Sequence, residues 1–141
     1  MVKCQRLVGL LDRIDLLFVN RDEAEALCGL PTTTPLDARE AANRLRGEGV
    51  GAVIVAMGEA GAFVASDSVY DFHDSMPTDV CDVTGAGDGM VAGILYGLAV
   101  GRPLTEAVRL GLACAALAIE SDRSVNEDLK ESVLLKRAGL L

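Results

Sequence analysis

Apolar positions along this chain follow two rhythms. Short unbroken runs occur at "IDLLFVN" (14–20) and "GAVIVAM" (51–57), each bounded by polar residues. That pattern predicts buried strands. Between them the spacing becomes helical. "RDEAEALCG" predicts a helix stopped by Gly29, with Pro31 just beyond. In "TTTPLDAREAANRLRGEG" a loop leads into an amphipathic helix, with Leu36, Ala41, Ala42 and Leu45 on its inner face and Gly47 and Gly49 at its end. Upstream, residues 2–12 have the pattern of a helix tail ending near Asp12–Arg13.

After the second strand, "GEAG" (58–61) predicts a turn, and "GAFVA" and "SVYDFH" predict two further short strands. Residues 77–82 predict one more extended segment. The last third is helical. Met90, Val91, Ile94, Leu95 and Leu98 share one face of a helix that begins near Gly85. "LTEAVRLGLACAALAIE" (104–120) is apolar nearly all round and predicts a buried helix. A turn and a final helix follow. Glycine recurs at 85, 89, 93, 97 and 101. Each interior glycine costs a helix up to ~1 kcal/mol relative to alanine, so a regular row predicts close approach of another backbone. The alternation of buried strands and helices predicts one α/β domain with a mainly parallel sheet. There is no internal repeat, low-complexity stretch or interdomain linker.

Composition narrows the function. Half of the 141 residues are hydrophobic, which excludes a disordered chain, and only 4% are aromatic, so aliphatic residues must build the core. The net charge of -8 argues against a nucleic-acid or anionic-membrane partner. It leaves room for an anionic ligand held by backbone amides or a metal ion. The longest uncharged run, Gly89 to Gly101, is too short to span a bilayer, and no signal-peptide pattern opens the chain. His73 is the only histidine, which excludes a multi-histidine metal site. Cys4, Cys28, Cys81 and Cys114 form no CxxC pair, and are expected to be free thiols in a reducing cytoplasm.

Three short motifs carry candidate chemistry. "DVTGAGDG" (82–89) follows an extended segment and opens a helix. The first amides of a helix lack intrahelical partners and carry partial positive charge. Small residues at 85–87 would let a phosphate approach them, and Asp88 would stand beside it, able to take a proton from a hydroxyl. A glycine turn with a favourable acidic first turn explains the same residues equally well. The segment is not a Walker P-loop, and the third glycine of a GxGxxG fingerprint falls on Met90. In "VNRDEAEAL", Asn20 and Glu23 have the spacing of a capping box, the simpler explanation. At the carboxyl end of a strand they could instead help hold a ligand, Glu23 in a magnesium shell through water. In "VIVAMGEAGAFV", Gly58 and Gly61 suit an ordinary turn between strands.

Together and in this order, "NRDE", "VIVAMGEAGAF" and "DVTGAGDG" resemble the PfkB carbohydrate kinases, the ribokinase-like family. The resemblance runs from "IDLLFVNRDEAEAL" to the helix ending near Glu120 and implies a ribokinase-like layered α/β fold. It implies transfer of the γ-phosphate of ATP to a hydroxyl of a sugar or nucleoside. By resemblance Asp88 is the catalytic base, and the amides of Gly85, Ala86 and Gly87 form the anion hole. Glu23 with Asn20 would organise Mg2+ and the phosphates. Gly58 and Gly61 would shape the nucleotide site, and Asp82 with the backbone of Thr84 matches a potassium position of some members. The "DVTGAGD" variant, the following "GM" and "ESDRSVNEDL" are most similar to pseudouridine kinases within the family.

Two positions depart from the family pattern. Ala56 stands where many members have threonine, and Leu112 where many have asparagine, so two polar nucleotide contacts are missing. Members of the family are also about twice as long. The resemblance therefore implies that residues 1–141 are the C-terminal, nucleotide-binding half, without the N-terminal substrate and lid half. The competing expectation is a non-catalytic nucleotide-binding or structural half-domain that needs a partner or the missing half. An uncovered sheet edge or apolar face further predicts self-association, as a homo-oligomer.

Overall fold

The computed structural model describes residues 3–123 and 126–141. Val2, Ser124 and Val125, which fall in segments considered above, lie outside the described residues. Two compact units divide the chain between Asp74 and Ser75.

The first unit opens with a 3-10 helix, Lys3–Arg13, then β1 (Leu16–Asn20), α1 (Arg21–Cys28), α2 (Pro35–Gly47) and β2 (Ala52–Ala56). A single 3-10 turn, Gly58–Ala60, leads to β3 (Gly61–Ala65) and β4 (Tyr70–Asp74). The opening segment ends where predicted. Leu11 is its one buried residue, and the half-buried Leu7 packs against the same core.

The four strands lie in the order β1-β2-β3-β4. β1 and β2 are parallel, with Phe18 opposite Ile54. β2–β3 and β3–β4 are antiparallel. The α/β architecture is as predicted, but the sheet is mixed rather than mainly parallel. Connection length explains why. The β1–β2 link contains two helices, enough for a crossover, whereas the later links are tight turns. They are closed by Met57 N–H to Gly61 C=O at 2.8 Å and Ser66 N–H to Val69 C=O at 2.7 Å.

Small side chains let the helices lie close to the sheet. Ala24 of α1 and Ala38, Ala41, Ala42 and Leu45 of α2 join Leu17, Val19, Val53 and Val55 in one core. Leu36, predicted on the inner face, is exposed at 57%. It lies in the first turn, just after the N-cap Thr34 and Pro35, and Ala38 is the first α2 residue to reach the core. Thr34 and Asp37 form a reciprocal capping box, and Gly29 ends α1 in the left-handed region at φ 68°.

The second unit contains α3 (Ala86–Ala99), α4 (Leu104–Ile119) and α5 (Glu131–Arg137). The predicted extended segment 77–82 pairs with no strand. The amides of Cys81 and Asp82 instead both donate to the carbonyl of Ile119, at 2.7 and 3.1 Å.

α3 packs on α4 through backbone. Its buried residues are Met90, Gly93, Ile94 and Gly97, while Leu95 and Leu98 of the predicted inner stripe are exposed. A Cβ on Gly93 would lie 2.5 Å from the Leu110 carbonyl oxygen, and one on Gly97 would lie 2.8 Å from the Ala107 Cα. Across the contact, a Cβ on Gly111 would lie 2.8 Å from the Met90 carbonyl oxygen. The glycine row therefore has two functions. Gly89, Gly93 and Gly97 admit α4, while Gly85 and Gly101 flank α3 with φ of 84° and 81°. Leu110, Ala113, Cys114 and Leu117 of α4 join Leu134 of α5 and Ala138 in the core of this unit, with Met76 packed against them. Among the described residues no helix is long and apolar enough to cross a membrane.

The contact predicts a sharp contrast between two glycines of one helix. Gly93→Ala forces backbone apart and is expected to cost at least about 2 kcal/mol. Gly87→Ala, with nothing within 4 Å of the new methyl, is expected to be neutral or stabilising by up to about 1 kcal/mol. Urea unfolding followed by helical circular dichroism measures both.

Candidate functional site

The candidate residues fall in both units, Asn20, Glu23, Gly58 and Gly61 in the first and Asp82–Asp88 in the second. In the second unit, the signature segment makes an Asx turn followed by a helix start. Asp82 Oδ1 accepts the Thr84 N–H at 2.8 Å. This bond, and then the contact with the Thr84 side chain, holds the exposed Asp82 carboxyl below its ordinary range. Gly85 then takes the left-handed conformation that only glycine adopts without strain. It is the N-cap of α3 but has no side chain to cap with, so the first amides of α3 receive no side-chain acceptor. The first helical bond runs from Gly89 N–H to Gly85 C=O at 2.8 Å. Of the earlier amides, that of Ala86 donates to Val83 C=O at 3.3 Å, while those of Gly87 and Asp88 precede the helical ladder. Asp88 is exposed in this first turn.

Beside this helix start lies a cavity of about 450 Å³. Thr84, Gly85, Asp88 and Gly89 line one part of it; Cys114, Leu117 and Ala118 of α4 line another, with Asn126 and Leu129 beyond. Small residues at 89, 92 and 118 leave the space open. Burial pushes the Cys114 thiol up, so it stays a protonated wall group rather than a nucleophile.

In the first unit, Asn20 and Glu23 form the capping box that their spacing suggests. Asn20 Oδ1 accepts the Glu23 N–H at 2.9 Å, and Glu23 Oε2 accepts the Asn20 N–H at 3.0 Å. Asn20 is also the last residue of β1, in register with Ala56 at the end of β2. The glycine turn follows directly, so "NRDE" and "GEAG" share the carboxyl end of the parallel pair. A Cβ on Gly58 would lie 3.7 Å from Arg21 Nη2, which shows how near the two come. Gly58 has φ 61° and Gly61 φ 122°, both suited to glycine, and the Gly61 N–H donates to Gly58 C=O. Leu112 is buried and Ala56 half-buried. Among the described residues, no three His, Cys, Asp or Glu side chains gather to hold a metal ion.

Sequence reasoning missed Asn126. Its Nδ2 donates to the Leu117 carbonyl at 3.0 Å and its Oδ1 accepts the Asp128 N–H at 2.9 Å, which ties the loop after α4 to the cavity wall. The only signal was an asparagine in a polar stretch behind an apolar helix. The cluster of Thr78, Glu120 and Arg137 was missed as well, because its members are remote in sequence.

Residues 3–130 match the pfkB family carbohydrate kinase profile. Among curated proteins, the cytidine kinase of Thermococcus kodakarensis is 36% identical over 105 residues, 73% of this chain and 36% of that protein. The pseudouridine kinase of Escherichia coli is 33% identical over 129 residues, 90% of this chain and 41% of that protein. Among solved structures, Arabidopsis thaliana ribokinase complexed with ribose and ATP superposes with a TM-score of 0.83 at 28% identity, over 93% of this chain and 43% of that one. Escherichia coli phosphofructokinase-2 in complex with potassium gives 0.79 at 25% identity, over 94% and 43%. The chain thus spans about two fifths of the length of these relatives.

The capping box predicts that Asn20→Ala destabilises the first unit by about 1 kcal/mol. Glu23→Gln, which can still accept the Asn20 N–H, is expected to change stability by under about 0.5 kcal/mol. Chemical denaturation of the two variants checks this. For Asp82, a depressed folded pKa means that its turn is fully formed above the unfolded value and lost as pH falls through the lower folded value. The Thr84 amide resonance is therefore expected to shift with a midpoint below 3.8 in an acid titration.

Proposed function

The chain belongs to the pfkB carbohydrate kinase family, and we propose that it carries the phosphate end of an ATP-dependent phosphotransferase site. The acceptor is a hydroxyl of a sugar or nucleoside: pseudouridine, ribose or a similar compound. The observation that carries this reading is Asp88 in the first turn of α3, beside amides that precede the helical ladder. Phosphoryl transfer asks a protein mainly for position and charge stabilisation. Asp88 takes the proton from the acceptor hydroxyl as its oxygen attacks the γ-phosphorus and ADP leaves. The amides of Gly85, Ala86 and Gly87 stabilise the charge that develops on the phosphoryl oxygens. The Ala86 N–H shares itself with Val83 C=O, a bond of 3.3 Å that yields readily to an anion.

The donor groups fit the cofactors that this chemistry uses. Glu23 spends Oε2 on the capping box and keeps Oε1 for a water of a hydrated Mg2+, an ion that retains several waters. Mg2+ supplies neutralising charge to the β- and γ-phosphates. Gly58 and Gly61 keep backbone exposed where a nucleotide would approach. Asp82, held ionised by its turn, and the Thr84 backbone offer oxygen ligands to potassium. Self-association belongs to the same reading. Among the described strands β1 pairs only with β2, and its "LLFV" carries no charge to blunt the free edge.

Asp88→Asn is expected to bind ATP·Mg2+ within about threefold of wild type by calorimetry. In a full-length context that also supplies the substrate half, ADP release with pseudouridine or ribose is expected to fall at least about 100-fold. Near-normal turnover in this variant contradicts the base assignment, and absence of ATP binding by the wild-type chain contradicts the phosphate site.

A further inference from the structure

The segment leading into "DVTGAGD" has no strand to hold it, so its position depends on a few anchors. The first is the carbonyl of Ile119, which accepts both Cys81 and Asp82 N–H. The second is Glu120, the C-cap residue of α4. Its carboxylate accepts Thr78 Oγ1 at 2.6 Å. Thr78 Oγ1 also reaches the Ala116 carbonyl at 3.3 Å. The third is Arg137, at the end of α5. Its Nη2 donates to Pro77 C=O at 2.8 Å and to Glu120 Oε1, and its Nη1 donates to Glu120 Oε2 at 3.2 Å. One two-pronged ion pair thus holds two consecutive residues, Pro77 and Thr78, the second of them four positions before Asp82.

The location of the acid is informative. A carboxylate at the C-terminus of a helix opposes the helix dipole, where a cation would be favoured. α4 carries none there; the basic group comes from α5 instead. Arg137 and Thr78 hold Glu120 below the ordinary glutamate range despite that end. Both partners are about one quarter exposed, so a solvent-screened pair alone would contribute little to stability. What the arrangement achieves is geometric. A bidentate guanidinium–carboxylate pair fixes direction as well as distance, and here it fixes the approach of the loop to α3.

We propose that Glu120 and Arg137 are positioning residues that clamp the entry of the signature loop, so that α5 sets the geometry of the anion site. The consequence for ligand binding rests on the phosphate-site reading above; the consequence for the loop does not. Breaking the clamp frees Pro77 and Thr78 and leaves Cys81 and Asp82 held by the Ile119 carbonyl alone, while the glycine contact between α3 and α4 stays intact, since no clamp residue touches it.

The test is amide hydrogen exchange of Glu120→Gln, Arg137→Lys and the milder Thr78→Val, with ATP·Mg2+ titrated into each. The expected result is at least tenfold faster exchange at Cys81 and Asp82 in Glu120→Gln and Arg137→Lys, and a smaller change in Thr78→Val. α3–α4 protection stays unchanged, and ATP affinity falls at least about tenfold in the first two. Wild-type exchange at Cys81 and Asp82 overturns the clamp. Faster exchange across α3 and α4 as well overturns it too, because the pair is then a general stabiliser. If the wild-type chain binds no ATP, the phosphate-site reading fails and the exchange rates still decide the clamp.

Discussion

Direct backbone contact between α3 and α4 is the constraint on which the second unit depends. A helix normally meets its neighbour through side chains, at an interaxial distance of roughly 8–10 Å. Here Gly93 and Gly97 face Gly111 and Ala107 while Gly89 faces Cys114, and a single added methyl at Gly93 would overlap a carbonyl oxygen. The propensity lost to those glycines is offset by dispersion contacts along the two backbones. Close packing fixes α3 along its length, and so fixes where its amino end points. That end carries Gly85 in a left-handed conformation, a short side chain at Ala86 and an acid at Asp88. A helix start so built leaves the amides of Gly87 and Asp88 ahead of the helical ladder, with that of Ala86 bonded to Val83 C=O.

Each candidate motif has a local structural explanation, and the functional reading does not compete with it. Asn20 and Glu23 cap α1, yet the capping bond uses only one of the two Glu23 oxygens. Asp82 closes an Asx turn, and the same bond keeps it ionised. Gly58 and Gly61 make the β2–β3 turn and leave the backbone bare at the carboxyl end of β1 and β2. In open α/β sheets that end is where ligands bind. Caps and turns need little dedicated sequence, which is why any one motif alone is ambiguous. Taken in their order along the chain the motifs resemble the family, and the family match spans residues 3–130.

Much of the fold was legible because local signals and tertiary packing agree. The strands at 16–20 and 52–56, the stop at Gly29 and the helix start near Gly85 stand where periodicity and glycine signals predict. The failures have separate causes. Leu95 and Leu98 have the spacing of an inner face, but periodicity ranks residues by hydrophobicity and cannot see that glycine permits the closest approach, while Leu36 sits in the first turn before α2 reaches the core. The extended segment at 77–82 has a strand-like composition and no strand beside it; its partners are Ile119, Glu120 and Arg137, about 40 to 60 residues later. Sheet direction was misjudged because it depends on connection length, which the short turns after β2 and β3 already encoded. Asn126 and the Glu120–Arg137 pair were beyond reach, since side-chain partners remote in sequence leave no periodic trace.

The central claim is that the amino end of α3 receives phosphate. It is tested most directly by titrating ATP·Mg2+ into isotopically labelled protein and following backbone amide resonances. The account predicts that the largest shifts fall on Gly85, Ala86, Gly87 and Asp88, saturating together, with α5 nearly silent. Saturable binding that leaves those four amides unmoved would contradict it.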